Sequence, residues 1–412
     1  MSNKLNHIAL LATVLYAVGA SADNLETPMF SFSAFGTLGV VHSSEDQADF
    51  TSSAFKPNGA GYSHSWSADV DSLIGGQVTA NFTPKLTAVL QVISEQNYDN
   101  TYRPHVEWAN IKYQFTPDFS MRLGRIVLPT FLYSDTRKVA YTYPWVRPPV
   151  EVYSVIPVSN NDGVDASYRA RIGEFTNTVQ GFYGQSEPTL PSGGGTVEAK
   201  DMWGITYTGE YGDATAHISY LQANVTIDSF KPLFDGFRQF GPQGIALADK
   251  YDLSNFHLSS ISLGGMYDPG DWFVMSEWCA INSQVVTVKR SAWYASAGYR
   301  IGKFTPFLTY ARVKAYVNSS DPGLNVSTLP PDQAASAAAL NAGLSAVLES
   351  IPVQKTVSIG GRWDFMSNAD LKLQYDYTRI GTGSQGVLIN LQPGYQSGGS
   401  FSLINATIDF VF

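Results

Sequence analysis

The residue types that most often catalyse reactions or bind metals are few in this chain and far apart. Cysteine occurs once, at Cys279, which excludes an intrachain disulfide and a cysteine-rich metal site. The six histidines are scattered, at positions 7, 42, 64, 105, 217 and 257. Neither the Gly-x-Ser-x-Gly elbow of hydrolases nor the His-Glu-x-x-His pair of zinc proteases occurs. The sequence therefore predicts no catalytic residue, no metal site, no cofactor and no enzymatic activity.

Charged side chains are the remaining candidates for a functional role. Asp69 and Asp71 could in principle serve acid–base chemistry, but residues two apart on a strand share one face, and a solvated position explains them better. Basic residues are prominent between positions 112 and 171. What they do depends on the secondary structure that carries them, so the elements have to be inferred first.

Composition favours a protein that is apolar only on alternate residues. Charged residues make up 15% of the 412 residues, below the ~25% of ordinary soluble domains, and aromatic residues make up 13%. The net charge of −9 argues against nucleic acid as a partner.

The first 22 residues have the three parts of a secretory signal peptide. Lys4 lies in a short polar start, an apolar run extends from Ile8 to Ala20, and the Ala-Ser-Ala ending at Ala22 predicts cleavage there. A membrane anchor is the alternative, but the run is short for one. No later stretch approaches the ~18 uninterrupted apolar residues of a spanning helix. Residues 23–412 are therefore expected to form one domain, either soluble outside the cytoplasm or a β-barrel in an outer membrane.

An alternation of apolar and polar residues recurs along the whole mature chain. The last residues, "SLINATIDFVF", place Ile404, Ile408, Phe410 and Phe412 on one face of a strand. "FSFSAFGTLGVVHS" near the start shows the same period. A strand of a soluble sandwich would show it too, so alternation alone leaves both architectures open.

Spacing and aromatic residues favour the barrel. Seven short links rich in Pro, Gly, Asn or Asp predict tight turns: 83–85, 116–118, 173–174, 212–213, 268–271, 302–303 and 367–369. Aromatic residues such as Phe82, Phe175 and Trp272 flank nearly all of them, which is typical of a membrane-interface girdle. Eight longer polar links alternate with these turns: about 43–64, 99–104, 128–162, 187–197, 228–256, 285–287, 318–352 and 382–399. This predicts sixteen strands, with one loop helix from Pro330 to Ser350.

The signal peptide, the first strand with "FGTLGVVHS", the sixteen-strand layout and the ending "IDFVF" together resemble a Gram-negative outer-membrane porin, over essentially the whole mature chain. The resemblance implies an all-β, transmembrane antiparallel barrel in the bacterial cell outer membrane, with short periplasmic turns and long extracellular loops. It implies a water-filled channel for passive diffusion of small hydrophilic solutes or ions, surrounded by lipid, in a homotrimer. Phe410 and Phe412 are similar to the signal that the barrel-assembly machinery reads.

A barrel of this size leaves a channel, and something must narrow it. In porins the loop at the place of 128–162 folds inward, which implies a constriction here; an exposed cap is the alternative. The predicted pore-lining and constriction residues are Lys112, Arg122, Asp135, Arg137, Lys138, Arg147, Glu151, Arg169 and Arg171.

This set is more basic than the porin pattern, in which acidic loop residues face arginines on the wall. Rings of basic residues favour anions, so the sequence predicts a modest anion preference. Snorkelling or solvation of these side chains is the alternative interpretation. A substrate-selective channel and a loop-driven binding or adhesive barrel that conducts poorly also remain open.

Overall fold

Sixteen long strands follow one another in chain order in a computed structural model, which describes residues 28–191, 193–316 and 320–412. The predicted signal peptide, 1–22, lies outside the described residues. The strands are β1 (Phe30–Ser43), β2 (Leu73–Thr83), β3 (Leu86–Glu95), β4 (His105–Gln114), β5 (Phe119–Val127), β6 (Asn160–Ile172), β7 (Phe175–Ser186), β8 (Val197–Tyr211), β9 (Ala214–Ile227), β10 (Phe256–Tyr267), β11 (Trp272–Ser283), β12 (Arg290–Tyr299), β13 (Phe304–Ala315), β14 (Gln354–Trp363), β15 (Ala369–Ile380) and β16 (Ser400–Val411).

Each strand pairs antiparallel with its neighbours in sequence, and β16 pairs with β1, so the sheet closes into a barrel. Leu38 lies opposite Ile408 and Gly36 lies opposite Phe410. The backbone of Phe412 exchanges two hydrogen bonds with Ala34, at 2.7 and 3.0 Å. Closure leaves no unpaired strand edge, which is a requirement in a bilayer. The predicted fold, a sixteen-stranded antiparallel barrel, is confirmed.

Short turns and long loops alternate as predicted. The short links are 84–85, 115–118, 173–174, 212–213, 268–271, 300–303 and 364–368, and the long ones are 44–72, 96–104, 128–159, 187–196, 228–255, 284–289, 316–353 and 381–399. We call the long loops L1 to L8 in chain order. L3 ends at residue 159 instead of 162, because Asn160 already pairs with Val127 in the ladder between β5 and β6.

The outer face of the barrel is apolar, and the rim at the short-turn end is rich in aromatic residues. Outward residues in the middle of the strands, including Leu38, Leu123 and Ile359, are more than half exposed. Beside the short turns, Phe175 stacks on Tyr211 with ring centroids 4.5 Å apart. An aliphatic band flanked by rings is the surface of a transmembrane barrel.

The helices lie in the long loops. They are α1 (Val150–Tyr153) in L3, α2 (Lys231–Arg238) and α3 (Gly241–Tyr251) in L5, and α4 (Pro331–Glu349) in L7. The predicted loop helix is therefore confirmed as α4, which begins where Pro331 supplies a preset first-turn φ. Helices α2 to α4 share an apolar core and form a cap at the long-loop end. No helix in the described residues is long and apolar enough to cross a membrane.

Candidate functional site

L3 lies inside the barrel, since its atoms bond to inward-facing side chains of distant strands. Glu277, in the middle of β11, accepts hydrogen bonds from the Leu132 amide at 3.0 Å and the Tyr153 hydroxyl at 2.7 Å. The indole N–H of Trp145 donates to the hydroxyls of Ser296 at 3.0 Å and Thr309 at 2.9 Å, on β12 and β13. The loop therefore crosses the lumen from β5 to the opposite wall.

An apolar cluster joins L3 to strands β7 to β13. Trp145 is 1% exposed, and the rings of Tyr133 and Tyr294 meet it edge-on at 5.7 and 5.4 Å. The inward positions of these strands carry apolar residues, among them Phe182, Leu221, Val225, Phe273, Met275, Ile281, Phe307 and Val313. In this half of the barrel the inward side chains therefore pack against L3 and do not face channel water. L3 covers them, because exposing so much apolar surface to channel water would be unfavourable.

Two charged residues of L3 attach the loop to the wall on the other side. Arg147 is 8% exposed and forms a bidentate ion pair with Asp71 of L1, with N–O distances of 2.7 and 2.5 Å. Its guanidinium also donates a hydrogen bond to Asn405 of β16 at 2.7 Å. Glu151 is 1% exposed and accepts hydrogen bonds from the Thr356 hydroxyl and from Gln354, the latter at 2.7 Å. Burial raises the pKa of Glu151 above its ordinary value.

Arg137 is held within L3 itself. Its guanidinium donates to the carbonyls of Tyr153 at 2.9 Å and Ile156 at 3.2 Å, and it lies 5.5 Å from the centre of the Tyr153 ring. Arg137, Arg147 and Glu151, all predicted at the constriction, thus lie where they fix the shape of the loop.

The basic residues of the wall lie together on β4 to β6. Lys112 is opposite Arg122 in the register, and both point inward, as do Arg169 and Arg171 further along the chain. Arg122 pairs with Asp165 at 2.5 Å, and Arg169 lies 3.6 Å from Glu210. Arg171 is exposed near the short turn that follows β6.

L3 presents two charged residues to this side of the lumen. Asp135 is exposed and interacts electrostatically with Arg122 and Asp165. Lys138 forms an ion pair with Glu95 at the end of β3. The structure thus brings Lys112, Arg122 and Asp135 together, while Lys138 lies nearer the long-loop end and Arg169 and Arg171 lie nearer the short turns.

A cavity of about 110 Å³ lies between L1, L3 and the adjacent wall, and Asp71, Glu95, Arg137, Lys138 and Arg147 line it. Lys56 of L1 also borders it and donates to the carbonyls of Asp69 at 2.8 Å and Val70 at 3.0 Å. Burial lowers the pKa of Lys56.

Sequence reasoning missed the acidic residues of the wall. Glu95, Glu107, Asp165 and Glu277 face inward and neutralise or hydrogen-bond to residues of L3 and β5. Because these four residues lie on the polar face of each strand, the alternation pattern could have identified them as inward-facing. A further network, Asp370, Lys372 and Asp409, is fully buried beneath L3: the Lys372 ammonium lies 2.9 Å from Asp409 and donates to the Ala140 carbonyl at 2.6 Å. Within the described ranges, no cluster of His, Cys, Asp or Glu could hold a metal ion.

Comparison with known proteins identifies the fold. No protein-family model matches the sequence, and no curated protein matches it. An anion-selective porin from Comamonas acidovorans superposes with a TM-score of 0.55 at 12% identity, covering 93% of this chain and 100% of that one. OmpF of Salmonella typhi, in complex with daunomycin, gives 0.53 at 11% identity, with 93% and 97% covered.

The outer membrane channel DcaP of Acinetobacter baumannii gives a TM-score of 0.51 at 11% identity, with 92% of this chain and 97% of that chain covered. At such low identity the similarity concerns the fold alone. The chain thus has the fold of a porin-like bacterial outer-membrane β-barrel, as its resemblance in sequence predicted.

Proposed function

We propose that this protein is an outer-membrane channel for passive diffusion of small hydrophilic solutes and ions, and that it has no enzymatic role. The division of the lumen carries this proposal. L3 and its apolar cluster fill the side formed by β7 to β13, whereas the inward residues of β2 to β6 are mostly polar, among them Gln77, Gln91, Asn110, Lys112, Ser120 and Arg122, with Val89 and Ile93 as exceptions. Polar inward positions are the mark of a water-filled lumen.

The passage then runs off-centre, between L3 and β3 to β6. Asp135 and Lys138 border it on the loop side, and Lys112, Arg122 and Arg169 border it on the wall. The loop cannot leave the lumen without exposing Trp145 and the apolar wall that it covers, so the constriction has a fixed size. We expect a single-channel conductance well below that of a sixteen-stranded barrel with an unobstructed lumen.

The charges support a modest preference for anions. Near the short turns, four basic residues, Lys112, Arg122, Arg169 and Arg171, are accompanied by three acidic ones, Asp135, Asp165 and Glu210. Nearer the long loops, Glu95 and Glu107 oppose Lys138. Because basic residues dominate only one end, we expect the reversal potential to favour anions by less than a fully basic ring would produce.

Single-channel recording in planar bilayers tests the proposal, with a KCl gradient to measure selectivity. Replacing Arg169 and Arg171 together with Ala should shift the reversal potential toward cations. A matched control replaces Lys231 and Lys250 of the cap with Ala, which removes the same charge outside the barrel and should leave the potential unchanged. Cation selectivity of the wild-type protein would contradict the proposed anion preference. Absence of conductance would contradict the proposed channel function.

A binding or adhesive barrel is the second candidate, favoured by the partly filled lumen and by the helical cap in L5 and L7. Such a protein would insert into bilayers and conduct little or no current. The same recording separates the two functions, because a channel of fixed size gives discrete, reproducible conductance steps.

Homotrimer formation, contact with outer-membrane lipid and recognition by the barrel-assembly machinery are also proposed for this chain, on its resemblance to porins. Light scattering from the detergent-solubilised protein checks the trimer. Removal of Phe412 checks the assembly signal: insertion by the purified machinery should slow, while spontaneous folding in detergent should continue.

A further inference from the structure

The outside of the barrel carries a group of basic side chains that the channel does not use. Arg312 on β13, Lys355 on β14 and Arg379 on β15 lie directly opposite one another in the sheet register. Lys314 follows on the same face of β13. The residues that alternate with them along each strand are buried on the lumen side, so these four side chains point outward. We call them the basic row.

The basic row lies where the lipid-facing surface ends, on the long-loop side. Two residues closer to the short turns, the register aligns Tyr310, Val357 and Tyr377. At the other rim Phe304 pairs with Trp363. The eight residue-to-residue steps from Phe304 to Arg312 correspond to ~20 Å of height at ~3.3 Å per step and ~40° of tilt, close to the ~25 Å apolar band. This places the row at the level of lipid headgroups, just above interfacial rings.

The charges of the basic row are not neutralised by the protein. In the described part of the chain, no side chain of its four members forms an ion pair or hydrogen bond, and the residues that flank it in the register, Trp293 and Ser400, are uncharged. Like charges directly opposite one another on a sheet repel.

Two other outward basic residues at this end of the barrel have acidic partners. Arg125 lies 2.7 Å from Asp162, and Lys200 lies 2.5 Å from Glu198. The basic row therefore differs from these sites in concentrating positive charge that lacks a counter-charge.

We propose that the basic row binds the phosphate groups of an anionic glycolipid in the outer leaflet, a headgroup of the lipid A type. Neighbouring strands are ~4.8 Å apart, so the three cations in register extend over ~10 Å and can contact one phosphorylated headgroup together. Guanidinium groups bind phosphate oxygens in pairs, and the tyrosines below suit the boundary between sugar and acyl chains. This site concerns the outer wall and does not depend on conduction.

The test measures binding of purified lipid A to the folded protein in micelles of a zwitterionic detergent. At ~1 kcal/mol for each basic residue near a lipid surface, K355Q should weaken binding about fivefold, and R312Q/K355Q/R379Q about 100-fold. K200Q is the matched control, because it removes an outward charge that Glu198 already neutralises, and it should change affinity less than twofold. Migration of unheated samples on gels verifies that each variant is folded.

Two further measurements distinguish the source of the phosphate and the role of the cations. Lipid A stripped of its phosphates should bind as weakly to wild type as intact lipid A binds to the triple variant, and inorganic phosphate at equal concentration should not compete. Without lipid, the triple variant should melt at or above the wild-type temperature, since repulsion is relieved. Each of four results would overturn the proposal. They are unchanged lipid A binding in the triple variant, equal binding of the stripped lipid to wild type, competition by inorganic phosphate, and a lower melting temperature of the triple variant without lipid.

Discussion

Replacing Trp145 tests whether the apolar cluster fixes L3 inside the barrel. The side chain lies at the centre of that cluster, 1% exposed, between Tyr133 and Tyr294. Substitution with Ala removes the ring and both of its hydrogen bonds. The barrel keeps its strand ladder, so the expected consequence is a loosened loop in a folded protein.

The size of the effect follows from burial. Removing a buried Trp costs about 3–5 kcal/mol, which raises the population of any state with the loop detached between about 10²- and 10⁴-fold. Trp145→Phe keeps most of the apolar surface and loses the hydrogen bonds. It should cost about 1 kcal/mol, because the two acceptor hydroxyls, on Ser296 and Thr309, lie 2.7 Å apart and bond to each other.

Two assays read this out. Single-channel traces of Trp145→Ala should show frequent transitions to larger conductance, and urea unfolding in micelles should report a lower stability. Phe234→Ala is the control, because Phe234 is fully buried within the helical cap and does not belong to the lumen cluster. It should lower stability without changing the traces. If Trp145→Ala is folded and its conductance is as steady as that of wild type, the cluster does not hold the loop.

The remaining predictions concern one position each in the loop, the barrel seam and the passage. Burial raises the pKa of Glu151, so the folded state binds a proton more readily than the unfolded state. This contribution to the free energy of unfolding is complete at low pH and is lost as the pH rises through the pKa of the folded state. Glu151→Gln should reduce this pH dependence, which is measured as the urea midpoint from below pH 4.5 upward. A Cβ at Gly36 would lie 2.5 Å from the Phe410 ring, so Gly36→Ala should reduce the folded fraction on unheated gels, and adding Phe410→Ala should restore it. Lys138→Gln leaves Glu95 without its ion-pair partner in L3, so the reversal potential should move toward cations. An unchanged reversal potential would show that this ion pair does not border the passage.

Local chemistry predicts most of the barrel. Turn residues mark the short links and strand alternation sets the faces, and both depend on residues close together in sequence. The pairing of β16 with β1 could be inferred as well, since the alternation reaches Phe412 and an open edge is costly in lipid. The sequence predicts the end of L3 three residues too late, because Asn160 and Asp162 are residue types typical of loops, and only their pairing with β5 assigns them to β6.

The sequence by itself determined that the chain forms a sixteen-stranded barrel and which side chains of each strand point inward. Only the tertiary structure decided which inward positions stay in contact with water. Trp145 meets Ser296 and Thr309, and Arg147 meets Asp71 and Asn405, across separations of 76 to 258 residues. Whether an inward side chain lines a passage or a core depends on such distant partners, and periodicity within one strand carries no information about them.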